Sequence, residues 1–109
     1  MKSIFWFSNT LEELISYPAK SRRVIGYSLR RVQNGDTPEN VKTFKGAVQE
    51  IRVWGPDNDY RVYYVANLNR AVYVLHAMVK RTSSGIAVST RDRDLILKRY
   101  NEAKIIDRE

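Results

Sequence analysis

The hydrophobic pattern changes at Gly46, and this change constrains the fold more than any other feature of the sequence. From residue 47 onward, three segments alternate apolar and polar residues with a period of two and are rich in Val, Ile and Tyr. We predict strands over residues 47–54, 60–66 and 70–80. The connections between them are so short that neighbouring strands must run antiparallel. The second half of the chain is therefore predicted to begin with a three-stranded meander.

The first half of the chain carries one strand signal and two helix signals. Residues 3–7 are β-branched and aromatic, and we expect them to extend the sheet. Asn9 or Thr10 can cap a short helix that ends near Tyr17. A second helix is predicted over residues 18–34, because Pro18 suits its first turn and Gly35 follows its end.

A third helix is predicted to begin at Ser89 or Thr90, where Ser89 and Asp92 have capping-box spacing. The predicted order is βααβββα in a single domain of residues 1–109. We therefore expect an α+β fold, in which a small, mostly meander antiparallel sheet has the two N-terminal helices on one face and a C-terminal helix. On the face of the strands that packs against the helices, we expect core positions at Ile51, Val53, Val62 and Tyr64.

The second helix divides into an apolar face and a basic face at about 100° per residue. The apolar face is predicted at Ser21, Ile25, Leu29 and Val32. The opposite stripe comprises Lys20, Arg23, Tyr27, Arg30, Arg31 and Asn34. We expect one face to pack in the core and the other to meet a polyanion, an acidic partner or solvent.

Composition excludes several kinds of chemistry. The 109 residues include no cysteine and one histidine, which removes disulfides, thiolate nucleophiles and the usual zinc centres. No cofactor and no metal are expected, and the apolar runs are too short to predict a membrane helix or a secretory signal. A cytoplasmic location is expected. The net charge of +7 favours a nucleic-acid partner, with plain solubility as the alternative.

The predicted hairpins bring cationic side chains together on one face of the sheet. If residues 68 and 69 form a two-residue turn, Arg61 lies opposite His76. If residues 56 and 57 form the preceding turn, Arg52 lies opposite Arg61, and Glu50 and Tyr63 form the adjacent row with Lys80 farther along. Because two facing arginines repel, an anion between them would be favourable. This arrangement predicts a phosphate-binding site.

The segment EIRVWGPDNDYRVYYVANLNRAVYVLHAMVKRT resembles the RelE superfamily of bacterial toxins, most closely its phage-derived, HigB-like branch. The upstream Tyr17-Pro18, Gly26, Val32-Gln33, Gly35 and residues 42–46 extend the resemblance over nearly the whole chain. The chain departs from the family pattern at Met78, at Arg81 and at Ser89-Thr90-Arg91, so the loop 82–88 is expected to have its own geometry.

The resemblance implies a type II toxin that cleaves mRNA, often on the ribosome, and that is neutralised by an antitoxin which often carries a helix-turn-helix. Metal-free cleavage needs a base, charge stabilisation of the phosphorane and a proton for the leaving oxygen. A non-catalytic RNA-binding or partner-binding module on the same fold is the competing hypothesis.

Each candidate residue has a functional and a structural interpretation. Arg52 and Arg61 could clamp phosphate, or they could form salt bridges with Glu50, Asp57 or Asp59. His76 could be the acid or base, or a packed residue. Glu50 could be the base instead, or could orient Arg52. Lys80 is predicted at the catalytic site with Arg52, Arg61 and His76, with solvated charge at the end of a strand as the alternative. The other predicted RNA contacts, Arg81, Arg23, Arg30 and Arg31, could instead be solvated charge, and Tyr63 is more often a packing residue than a base-stacking one.

Overall fold

The computed structural model describes residues 1–81 and 87–109 and confirms the α+β class. Residues 82–86 of the loop expected to have its own geometry lie outside the described part of the chain. The elements are β1 (Ser3–Trp6), α1 (Thr10–Ile15), α2 (Ala19–Gln33), β2 (Val41–Lys45), β3 (Val48–Trp54), β4 (Asn58–Val65), β5 (Ala71–Arg81) and α3 (Thr90–Arg108). The order is βααββββα, with one strand more than predicted.

The sheet has the strand order β1-β5-β4-β3-β2. The predicted meander is confirmed as β3-β4-β5, and β1 extends it by pairing in parallel with β5. The additional strand, β2, pairs with β3 across a tight turn in which Gly46 has φ +58°. Because β2 is a polar edge strand with two lysines among its five residues, its sequence resembles a loop more than a strand.

The sheet is covered on both faces. The predicted core positions Ile51, Val62 and Tyr64 pack against α1 and α2, with Val53 partly buried at the margin of the same cluster. On the opposite face, α3 contributes Ile96 and Ala103, which pack with Tyr63, Val65, Tyr73 and Leu75. The two N-terminal helices therefore share one face, as predicted, and α3 covers the other.

The end of α2 and the start of α3 follow their sequence signals, whereas the Asn9 side chain makes no capping hydrogen bond at the start of α1. In α2, the predicted apolar face of Ser21, Ile25, Leu29 and Val32 is buried. Gly35 has φ +90°, and the amides of Gly35 and Asp36 bond the carbonyls of Val32 and Arg31, which completes a Schellman motif. In α3, the Ser89 hydroxyl accepts a hydrogen bond from the Asp92 amide, as the capping-box spacing predicted.

One predicted register is confirmed and the other is wrong. Arg52 faces Arg61, because the turn after Gly55 is as short as predicted. Arg61 faces Met78 and not His76, whose partner is Tyr63. The turn between β4 and β5 shifts the pairing by one residue, since Val65 faces Tyr73, and a β-bulge in β5 shifts it by one more. The total shift of two keeps Arg61 and His76 on the same face.

Asp107, near the end of α3, anchors the turn between β4 and β5. Its carboxylate accepts hydrogen bonds from the amides of Asn69 and Arg70 at 2.9 and 2.8 Å and from the Tyr73 hydroxyl at 2.8 Å. The bonds from the Asn69 and Arg70 amides, with that from Tyr73, hold the pKa of Asp107 below its ordinary 3.8. The helix thus fixes the turn from which the register of β5 starts.

Replacing Asp107 with asparagine is expected to lower the urea midpoint of unfolding at pH 7, because an amide cannot accept all three bonds. The lowered pKa means that the carboxylate contributes stability above pH 3.8 and loses it as pH falls through the folded-state value. Urea titrations at pH 7 and pH 3 check both statements. Glu102→Gln, at an exposed position of the same helix, is the matched control and is expected to change little. Equal midpoints for the two variants would contradict the anchoring role.

Candidate functional site

The α3-facing side of the sheet carries a buried ionic cluster centred on Glu50. Arg52 Nη2 lies 3.1 Å from Glu50 Oε1, and the Tyr63 hydroxyl donates to Glu50 Oε2 at 2.5 Å. Arg61 Nη1 is 3.9 Å from the same Oε2. Only 5% of the surface of Glu50 is exposed, so its carboxylate contacts these neighbours and little solvent. Of its two predicted roles, this geometry favours orientation of Arg52 over action as a base.

Arg61 is wholly buried, with 0% of its surface exposed. Its Nη2 donates to Asp59 Oδ2 at 3.4 Å, and Asp59 is itself fully buried. The salt-bridge interpretation therefore describes Arg61 in this conformation, with Glu50 and Asp59 as its carboxylates. Through these two carboxylates, the buried guanidinium links neighbouring positions of β3 and β4.

Arg52 differs from Arg61 because it reaches the surface. Its side chain is 12% exposed, and its guanidinium carbon lies 5.2 Å from the ring centre of the exposed Trp54. Of the two facing arginines, Arg52 is the one that an external phosphate can meet. Tyr63 has no exposed surface, so the base stacking considered for it has no face to use, and packing describes it.

His76 forms a hydrogen-bonded pair with Asp92. The two side chains are joined by a contact of 3.1 Å between Nε2 and Oδ1, and the imidazole stacks on Tyr63 with ring centres 6.3 Å apart. Ser89 donates to the other carboxylate oxygen of Asp92 at 2.8 Å. With 15% of its side chain exposed, His76 keeps an edge toward solvent.

The pKa values of this pair suit a neutral imidazole beside a charged carboxylate. Burial lowers the pKa of His76 below its ordinary 6.5, and the hydrogen bond to Asp92 offsets only part of that effect. Burial raises the pKa of Asp92, but the hydrogen bonds from Ser89 and His76 outweigh it and bring the pKa below 3.8. At pH 7 the imidazole is therefore neutral and oriented, which is the state that a general base requires.

The remaining predicted residues of β5 lie at its far end. Lys80 is the register partner of Asp59 and donates to the carbonyl of Ala87. Arg81 is exposed and faces Asn58. The sheet thus places Lys80 on the same face as Arg61 and His76, two strand positions beyond Met78.

Two residues of the site were not predicted. Asp92 was recognised as a helix cap, but the sequence did not reveal its contact with His76, which depends on how α3 crosses the sheet. Lys42 lies on the unpredicted strand β2, where it is exposed and faces Glu50. The available signal was the two-residue spacing of Lys42 and Phe44, which places both side chains on one face of a strand. Phe44 packs on Tyr63 from that face.

The basic stripe of α2 lies on the opposite face of the sheet from His76. Arg23 and Arg30 are exposed there, and Tyr27 between them is 67% exposed. Arg31 bonds Asp36 at 3.3 Å and Glu39 at 3.1 Å, so its charge is already balanced. A groove of about 260 Å³ runs from this face of α2 past Arg31 to Arg52. Tyr27 and Arg31 of the stripe therefore line the same groove as Arg52.

Fold and site together define a small basic α+β domain, in which one histidine–aspartate pair lies beside a buried ionic cluster and exposed cations. The chain belongs to the family described as phage derived protein Gp49-like (DUF891), whose model matches residues 12–101. This agrees with the phage-derived origin that the resemblance implied. The comparison with curated proteins gave no match, and the comparison with solved structures also gave none. Within residues 1–81 and 87–109, no helix combines the length and hydrophobicity that crossing a membrane requires.

Proposed function

We propose that this chain is the toxin of a type II toxin–antitoxin pair and an endoribonuclease that cleaves mRNA. The observation that supports it best is the His76–Asp92 pair, because a partly buried imidazole that a carboxylate orients, and whose pKa is lowered, is an arrangement typical of general bases. The resemblance to RelE-type toxins and the net charge of +7 support an RNA substrate.

In the proposed reaction, neutral His76 removes the proton of the 2′-hydroxyl, whose oxygen attacks the adjacent phosphorus. The bond from phosphorus to the 5′-oxygen breaks, and that oxygen takes a proton from water. The products are a 2′,3′-cyclic phosphate and a free 5′-hydroxyl. No metal or cofactor takes part in this sequence.

The cations around His76 have separate parts in this proposal. Arg52, held by Glu50 and partly exposed, stabilises the charge that develops on the phosphorane. Lys80, Arg81 and Lys42 bind flanking phosphates by charge. Arg61 holds Glu50 and Asp59 in place and so keeps Arg52 aimed. Ribosome association and an antitoxin with a helix-turn-helix are further parts of the proposal, and they rest on the resemblance.

A second candidate function is a non-catalytic RNA-binding or partner-binding module. The burial of Arg61 and the pairing of Arg52 with Glu50 favour it, because these guanidinium groups already have carboxylate partners. Under this hypothesis the exposed cations hold phosphate and no bond is broken.

End-mapping of a defined mRNA separates the two functions. The purified protein is added with and without programmed ribosomes, and a His76→Gln variant controls for contaminating nuclease. Cuts that disappear in the variant support the ribonuclease, and their dependence on ribosomes shows whether the translating ribosome is required. Retained RNA binding by a folded protein that makes no cut in either sample would overturn the ribonuclease in favour of the binding module.

If α2 binds RNA, replacing Arg30 with glutamine is expected to flatten the salt dependence of binding. Each lost contact to a phosphate of single-stranded RNA lowers the slope of log K against log salt by about 0.7. The matched control is Arg31→Gln, which is expected to change the slope less, because Asp36 and Glu39 already balance that charge. Fluorescence anisotropy at salt concentrations from about 50 to about 200 mM measures the slopes of both variants. Identical slopes for wild type and Arg30→Gln would remove this arginine from the RNA interface.

A further inference from the structure

A β-bulge in β5 decides which way His76 points. Tyr63 faces His76 and Tyr64 faces Val74, so Leu75 has no partner on β4. In a regular strand, consecutive side chains point to opposite faces. Here Leu75 is fully buried in the cluster under α3, and His76 bonds Asp92 of the same helix. The extra residue therefore allows two neighbours in the chain to face α3 together.

Arg99 of α3 contacts this bulge directly. Its Nη1 donates to the carbonyl oxygen of Leu75 at 2.8 Å. Asp92, which bonds His76, lies about two turns earlier on the same helix. Across the described residues, Arg99 forms no salt bridge with a carboxylate, so its charge is directed at this main-chain oxygen. One helix thus contacts both the bulge and the imidazole that the bulge orients.

We propose that Arg99 is a positioning residue for His76. By binding the Leu75 carbonyl it holds the bulge closed against α3, and the bulge keeps the imidazole stacked on Tyr63 with Nε2 at Asp92. Its importance for RNA cleavage rests on the proposed function, whereas its effect on the geometry of His76 does not.

The charges around His76 add an electrostatic consequence. Asp92 and Arg99 of α3 and the Tyr63 ring of β4 lie around it, and Glu13 of α1 acts on it through its charge. Burial lowers the pKa of His76 most, Asp92 raises it, Arg99 lowers it and Glu13 raises it slightly. Loss of the Arg99 charge is therefore expected to raise the pKa of the imidazole.

The single histidine makes the test direct, because one set of imidazole NMR signals reports on this residue alone. In Arg99→Met we expect the pKa of His76 to rise, its ring ¹⁵N shifts to change, and the Leu75 and His76 amides to exchange about tenfold faster, as loss of a charged hydrogen bond predicts. Lys98→Met removes an exposed charge one residue away and is the matched control. It is expected to leave all three readouts unchanged.

Arg99→Lys keeps the charge but not the fork of donors, and it provides the test if the methionine variant fails to fold. We expect it to retain the low pKa of His76 while amide exchange at the bulge accelerates. Wild-type pKa, ¹⁵N shifts and exchange in the folded Arg99 variants would overturn the positioning role. RNA cleavage is assayed separately with the same proteins. A wild-type protein that cuts no RNA would overturn the proposed function, and the NMR signals would still decide whether Arg99 positions His76.

Discussion

Replacing His76 with glutamine is expected to lower the rate of RNA cleavage by about 10²- to 10⁴-fold, the usual contribution of a general base. Glutamine fills similar space and can still bond Asp92, so folding and RNA affinity should change little. Single-turnover cleavage of a labelled RNA measures the rate, and anisotropy measures the affinity. A variant that cleaves at the wild-type rate would exclude His76 as the base and would shift attention to Glu50.

The pH dependence of cleavage gives an independent check on the same residue. Because burial holds the pKa of His76 below 6.5, the imidazole is mostly neutral at pH 7, and cleavage is expected to be fastest above pH 6.5 and to fall as pH drops through the folded-state pKa, which single-turnover rates over a pH series measure. Stability should follow the same direction. His76 takes up a proton near pH 6.5 in the unfolded chain but only at lower pH in the folded chain. The stability that neutral His76 contributes to the fold is therefore fully present above pH 6.5 and is lost as pH falls through the folded-state pKa.

Replacing Glu50 with alanine is expected to destabilise the protein by about 3–5 kcal/mol, the typical cost of removing one partner from a buried ion pair. The change leaves Arg52 and Arg61 facing each other across two strands, and it removes the acceptor of the Tyr63 hydroxyl. Urea denaturation at pH 7 measures the free energy of unfolding.

Glu39→Ala is the matched control for this prediction. Glu39 also pairs with an arginine, Arg31, but its side chain is 88% exposed, so its removal should leave the unfolding curve close to that of the wild type. If Glu50→Ala unfolded at the wild-type urea concentration, the ionic cluster would not be a source of stability. Arg61 would then have to be held by other contacts.

The parts of the fold that the sequence predicted are those governed by local rules. The turn after Gly55 and the alternation of β3 and β4 placed Arg52 opposite Arg61, and the faces of α2 followed from its periodicity. The strand β2 was missed because edge strands tolerate polar residues on both faces. The partner of His76 was mispredicted because a bulge adds one unpaired residue without a distinctive sequence signal.

The sequence predicted which residues belong to the candidate site better than it predicted the contacts among them. Glu50, Arg52, Arg61, Tyr63 and His76 lie on one face, as the strand pattern indicated. That Arg61 is buried could not be read from the sequence, because burial depends on two carboxylates, Glu50 and Asp59, which the register brings beside it. The contact of Asp92 with His76 could not be predicted for a similar reason, since it depends on how α3 packs on the sheet.

The parallel pairing of β1 with β5 has a consequence for the order in which the molecule can form. The first strand, β1, cannot pair until β5 has been synthesised, and β5 follows most of the other elements. Asp92 of α3 follows later still. Such distant pairings make folding slow compared with that of a helical bundle. The contact between His76 and Asp92 can therefore form only after the start of α3 has been synthesised, so a nascent chain that stops before residue 92 lacks this pair.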